Sequence, residues 1–286
     1  MDYNTQLKLK TRETGSIVCM GIDPVLERIP IEKGSVEEKI TKFYTDILAA
    51  IVAEDERPAI VKPNYAFFAQ YGWDGLRALK SVIEAYQNQD VSVILDGKRG
   101  DIGKSSAAYA REIFDFWGAD ATTIAPYMGS DSVEPFLEYT AHGKGVYILD
   151  RTSNKGAADL QNLKVDNIPI YLKTAEKIMD WAKERPGVGA VVGATSPDEL
   201  RSISEYFADL KPDTPLLIPG VGAQGGSAKE VASILKGTGQ DLALHRINSS
   251  SGINFAFIKA ESDDYAGAAV KALKELNREI GAIPKT

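Results

Sequence analysis

Two aspartates and a lysine crowd together in Asp96-Gly97-Lys98-Arg99-Gly100-Asp101-Ile102, directly after the apolar run Val91 to Leu95. Side chains alternate along a strand, so a strand ending here puts Asp96 and Lys98 on one face. Lys62 closes an earlier apolar run, Ala59 to Val61, and would stand on the adjacent strand of a barrel. Carboxylates and ammonium groups crowded where water is scarce stay ionised only if they pair, because an isolated buried charge costs several kcal/mol. Such an array can present a Lys⁺ to negative charge that develops during a reaction. The same spacing also describes a purely structural salt-bridge network.

Other polar residues close apolar runs in the same way. They are Asp23 (in Gly21-Ile22-Asp23-Pro24), Asn64, Asp150, Thr152, Ser153, Gln224 and Asn248. Asp23 reads either as a turn residue before Pro24 or as an acceptor for a ligand hydroxyl. Thr152 and Ser153 hydroxyls in a loop usually bond to nearby backbone. The glycine-rich stretch Gly220 to Gly226 reads as a tight turn or as a phosphate cradle. In the second reading the backbone N–H groups of Gly222 and Ala223, the Gln224 side chain and the next helix N-terminus hold the anion. His142 and His245 read as surface or helix-end residues, and Cys19, inside an apolar strand, as core.

The elements that must position these groups alternate regularly. Strand-like runs begin near Ser16, Ala59, Val91, Ala119, Gly145, Gly189, Pro215 and Leu242. Helical stretches lie between them, near 35–54, 73–87, 105–117, 132–140, 168–184 and 227–235, with a last one near 263–280. Ser35 with Glu38 makes a capping box, and Ser196-Pro197 opens the helix after the sixth strand. Strands that are apolar on both faces belong to a covered parallel sheet. About eight strand–helix units within 286 residues predict a single α/β domain, a (β/α)₈ TIM barrel, with residues 1–15 an N-terminal extension or helix. Function in such barrels sits at the C-terminal ends of the strands, where the residues above fall.

Composition narrows the class. With 33 basic and 40 acidic residues the net charge is −7, against a broad nucleic-acid or membrane surface. One cysteine and two histidines exclude a disulfide and a cysteine or multi-histidine metal centre. The first residues lack the apolar core of a secretory signal, and no run of about 18 apolar residues suits a membrane span. A cytoplasmic protein is expected.

The Asp96-Gly97-Lys98-Arg99-Gly100-Asp101-Ile102-Gly103 block resembles orotidine 5′-phosphate decarboxylases, in particular their larger bacterial subgroup. So do Lys62-Pro63-Asn64-Tyr65-Ala66-Phe67-Phe68, Arg151-Thr152-Ser153-Asn154 and Pro219-Gly220-Val221-Gly222-Ala223-Gln224, in the family's order. The resemblance implies decarboxylation of orotidine 5′-monophosphate (OMP) to uridine 5′-monophosphate (UMP), with no metal and no organic cofactor. It implies that Lys98 stabilises a C6 carbanion and delivers the replacing proton. Asp96 would lie beside the departing carboxylate, and Lys62 and Asp101 would complete the array. Asp23 and Asn64 would meet ribose, Thr152 and Ser153 the pyrimidine edge, and Gly222, Gln224, Ser251 and Gly252 the phosphate. Asp101 and Ser105 would serve a neighbouring subunit's site, which implies a homodimer, and Ile102 would contact substrate.

One position departs from the pattern. The family usually carries an arginine after the eighth strand, where this chain has Asn248-Ser249-Ser250-Ser251-Gly252-Ile253. Ser251 offers a hydrogen bond but no charge. Two rivals therefore stay open: a Mg²⁺-dependent sugar-phosphate lyase with the same charged motif, and a nucleotide-binding barrel without turnover.

Overall fold

The computed structural model describes residues 1–208, 213–222, 224–281, 283 and 285. Eight parallel strands form the barrel: β1 (Val18–Ile22), β2 (Ile60–Pro63), β3 (Ile94–Arg99), β4 (Ala121–Ile124), β5 (Gly145–Arg151), β6 (Val188–Val192), β7 (Leu216–Ile218) and β8 (Arg246–Ser249). Each pairs with the next in chain order, and β8 returns to β1 through Val18↔Ile247 and Met20↔Ser249. Between β2 and β3 the ring closes through parallel bridges Val61↔Val93 and Asn64↔Asp96.

The helices that cover it include α1 (Tyr3–Thr14), α2 (Val36–Ala53), α3 (Tyr65–Ala69), α4 (Gly72–Gln87), α5 (Gly103–Arg111) and α6 (Ser130–Leu137). They continue with α7 (Ile170–Ala182), α8 (Pro197–Ala208), α9 (Ala228–Gly237), two short turns α10 (Ser251–Asn254) and α11 (Ala256–Lys259), and α12 (Tyr265–Ile280). The Ser35–Glu38 capping box opens α2 as its sequence predicts.

Strand alternation sorts the side chains into two cores. Outward residues such as Val18, Met20, Val61, Ile148 and Ile247 pack against the helices. Inward residues Cys19, Ile60, Ile94, Ala121, Tyr147, Val191 and Leu217 fill the barrel, and Tyr3 and Leu7 of α1 close its lower end. One step of two residues up the same face, these apolar positions give way to Asp23 above Cys19 and Gly21, Lys62 and Asn64 above Ile60, Asp96 above Ile94, and Thr123 above Ala121. The barrel interior is thus mostly apolar at the bottom, where buried Arg246 is bonded to α1, and polar at the mouth.

Two local expectations are corrected. Leu242–Leu244 forms a 3₁₀ turn rather than the start of the last strand, held by Asp241 Oδ1 accepting from the Ala243 N–H. His245 is fully buried, not a surface residue; its Nδ1 accepts from the Leu216 N–H at 3.1 Å. Burial pushes its imidazole down to about 3, so it is neutral. Cys19 is buried core, as expected, and its thiol is pushed up to about 12 by burial.

Candidate active site

Lys62, Asp96 and Lys98 meet at the barrel mouth. Lys62 Nζ lies 2.6 Å from Asp96 Oδ2, and Lys98 Nζ lies 2.7 Å from Asp96 Oδ1. Burial alone would raise the Asp96 carboxyl, but the two ammonium groups outweigh it and hold the group well below the usual carboxylate range. Burial likewise opposes the charge on Lys62, and Asp96 and Asp23 together raise it above an ordinary lysine. Asp96 and Lys62 are therefore both charged at neutral pH. Lys62 and Asp96 are buried, whereas the Lys98 side chain is 49% exposed and its ammonium borders the cavity.

Regular alternation does not bring Lys98 here. The register of β3 against β4 shifts between Leu95 and Arg99, and Lys98 takes a left-handed φ of +43°. Such backbone is uncommon outside glycine and is kept only where the surroundings hold it. Thr123 on β4 does the holding. Its Oγ1 accepts from the Lys98 backbone N–H at 3.0 Å and donates to Asp96 Oδ1 at 2.7 Å. Thr123 was not singled out from sequence; its signal was a hydroxyl at an inward position of the strand next to β3.

Above the array is a cavity of about 700 Å³, large enough for a nucleotide-sized ligand. Asp23, Asn64, Thr152, Ser153, Gln224 and Ser251 line it, as does Asn248. Asp23 Oδ1 and Asn248 Oδ1 are buried with no hydrogen-bond partner among the described residues, which suits groups waiting for a donor. Asn64 Oδ1 caps α3 through the Ala66 N–H. Thr152 is tied locally: its N–H donates to Gln161 Oε1, and its hydroxyl accepts from Gln161 Nε2 and donates to Asn154 Oδ1. Leu149, Val191 and Leu217 form an apolar wall. Among the described residues no cluster of three His, Cys, Asp or Glu side chains could hold a metal.

Not every sequence-selected residue joins this cavity. Asp101 makes no ion pair among the described residues; its Oδ1 accepts from the Ile102 N–H, and it lies outside the cavity lining. Within one chain it does not complete the array. Ile102 and Ser105 are exposed on the rim beside it. Gly222 and Gly252 line an adjoining hollow rather than the main cavity. The expected open phosphate cradle is closed by its own bonds: the Gly222 N–H donates to Gly226 O at 3.0 Å, Gly225 to Gly222 O at 2.8 Å and Gly226 to Gly220 O at 3.0 Å. Ser227 caps α9 internally by accepting from the Glu230 N–H. Ala223 lies outside the described residues.

A model of the orotidine 5′-phosphate decarboxylase / HUMPS family matches residues 16–253, which include every strand of the barrel. The chain belongs to that family. Orotidine 5′-phosphate decarboxylase of Thermomicrobium roseum is 36% identical, over 98% of this chain and 96% of its own length. The enzyme of the same name from Aromatoleum aromaticum is 40% identical, over 95% and 96%. The solved Leishmania donovani OMP decarboxylase superposes with a TM-score of 0.76 at 32% identity, covering 99% of this chain and 100% of that one. The family resemblance read from the Asp96-to-Gly103 block and its companion blocks is therefore borne out, as is the TIM barrel.

Proposed function

We propose that this chain decarboxylates OMP to UMP and CO₂, a step of pyrimidine nucleotide synthesis, using charges it supplies itself. The observation that carries the reading is Asp96 clamped between Lys62 and Lys98 at the mouth of this family's barrel. With the pyrimidine over the apolar wall and its carboxylate beside Asp96, the C6–carboxylate bond breaks and CO₂ departs. The electron pair stays on C6 in an in-plane orbital that the ring cannot delocalise. The Lys98 ammonium, fixed before the charge forms, is attracted more strongly as the charge localises, with no solvent to reorganise. It then gives its proton to C6 and is reprotonated from water. Asp23 and Asn64 would bind ribose, and Thr152 and Ser153 the base edge. Gln224, Ser251, Gly222 and Gly252 would surround the phosphate; for Gly222 that requires the loop's own bonds to open.

The same reading makes the enzyme a homodimer. Asp101, Ile102 and Ser105 stand outside their own cavity, and Tyr127 and Met128, which follow β4, are exposed as well. Ile102 is 53% and Tyr127 91% exposed, and an apolar rim of this kind suits burial against a second copy. It also makes the enzyme cytoplasmic, in keeping with a buried, unpaired Cys19. No helix among the described residues is long and apolar enough to cross a membrane.

The deciding experiment follows OMP absorbance after adding purified protein in excess chelator. Loss of OMP with release of UMP supports the reading. A requirement for Mg²⁺ would favour the sugar-phosphate lyase, and UMP binding without OMP consumption would favour a non-catalytic barrel.

A further inference from the structure

Arg28 lies where the sequence offered no reason to look. It ends the 3₁₀ turn Leu26–Arg28 that follows β1, and β1 pairs with β8, so its loop adjoins the one carrying Ser251. The turn is anchored by the Leu26 N–H donating to the Tyr71 hydroxyl at 3.3 Å and by buried Ile29. Its guanidinium carbon sits 4.1 Å over the Phe255 ring, which itself stacks on Phe43 with centroids 5.7 Å apart. A guanidinium lying on an aromatic face keeps its in-plane N–H fork free for an oxyanion.

Arg28 forms no ion pair and no side-chain hydrogen bond among the described residues. Together with Ser251 and Phe255 it borders both the main cavity and the adjoining hollow that holds Gly222 and Gly252. The other cations of the main cavity, Lys62 and Lys98, are committed to Asp96. Lys259 and Lys271 border the hollow alone. A phosphate at this end of the cavity thus meets a self-bonded glycine loop, an uncharged Ser251 and one uncommitted arginine.

We propose that Arg28 grips the substrate's 5′-phosphate, supplying from the β1 loop the charge that position 251 lacks. This rests on the reading of the substrate as OMP. A stacked, preoriented fork can accept the dianion with charge-assisted hydrogen bonds, among the stronger ones proteins make.

The test measures UMP and uridine affinity, and OMP turnover, for the unaltered protein, Arg28→Ala, Arg28→Lys, Ser251→Arg and the double variant Arg28→Ala/Ser251→Arg. Arg28→Ala is expected to weaken UMP binding and raise KM for OMP by about tenfold or more. Its uridine affinity should stay within about twofold, and Arg28→Lys should fall between. Adding Ser251→Arg to Arg28→Ala should restore most of the UMP affinity. Equal losses for UMP and uridine, or no loss for UMP, would overturn the assignment and leave Arg28 as a packing partner of Phe255. Failure of the unaltered protein to consume OMP would instead overturn the substrate reading, which the UMP comparison does not depend on.

Discussion

The Lys62 ammonium lies 2.6 Å from Asp96 Oδ2, with neither side chain more than 6% exposed. A buried pair of this kind contributes little over an apolar alternative, but removing one member strands the other. Lys62→Ala should therefore cost about 3 kcal/mol of stability as well as activity. Chemical denaturation of the two proteins checks it; an unchanged midpoint would mean that Lys98 and Thr123 satisfy Asp96 without Lys62.

Lys98 should separate chemistry from folding. Its side chain is half exposed and among the described residues bonds only to Asp96, so Lys98→Ala should fold normally and still bind UMP. Turnover should fall by more than about 10³-fold, because both the stabilising charge and the proton are gone. Near-normal turnover in single-turnover assays would remove Lys98 from the mechanism.

Thr123→Val keeps the shape of the barrel wall but removes the hydroxyl that links Asp96 to the Lys98 backbone. With its left-handed conformation no longer held, Lys98 should lose its aim. The expected result is a fall in kcat of roughly tenfold or more with little change in KM, since oriented charge acts mainly on the transition state. A change confined to KM would point to a role in binding.

Shared sites in a homodimer would show as complementation. Asp101→Ala and Lys62→Ala proteins, each inactive alone, should regain part of the activity once mixed and allowed to exchange subunits. Hybrid dimers then carry one intact site. No recovery after exchange verified by mass spectrometry would count against Asp101 serving a neighbour.

Two buried groups set opposite pH limits. Asp150 has neither carboxylate oxygen partnered among the described residues; burial raises it well above the usual 3.8, against the pull of Arg151. The folded state keeps a proton that the unfolded chain releases, so stability declines as pH rises from about 3.8. His245 does the reverse: unfolded it takes a proton below about 6.5, but folded not until about 3, so stability declines as pH falls through that window. Asp150→Asn should gain about 1–3 kcal/mol at neutral pH and nothing at strongly acid pH. His245→Asn, which keeps an acceptor for the Leu216 N–H, should flatten the acid side. Melting temperatures across pH 4 to 9 for the three proteins test both signs.

Much of this protein is written locally. Apolar runs long enough for one strand, punctuated by capped amphipathic helices, specify a parallel sheet covered on both faces, and eight such units in one domain point to a closed barrel. Lys62, Asp96, Asn64 and Asp23 were legible too, since a period of two carries each of them up the inward face from a buried apolar neighbour. Lys98 reached the array by another route than alternation predicts: a register shift and a left-handed residue held by Thr123 across the strand gap. That contact joins residues 25 apart in sequence, so no local pattern encodes it. The same limit hid the burial of His245, whose Nδ1 accepts from the Leu216 N–H of β7, and the bonds that the glycine loop makes among its own amides. It also hid Arg28. A charged side chain in a short turn looks like surface until the barrel closes β1 against β8 and lays Phe255 beneath it.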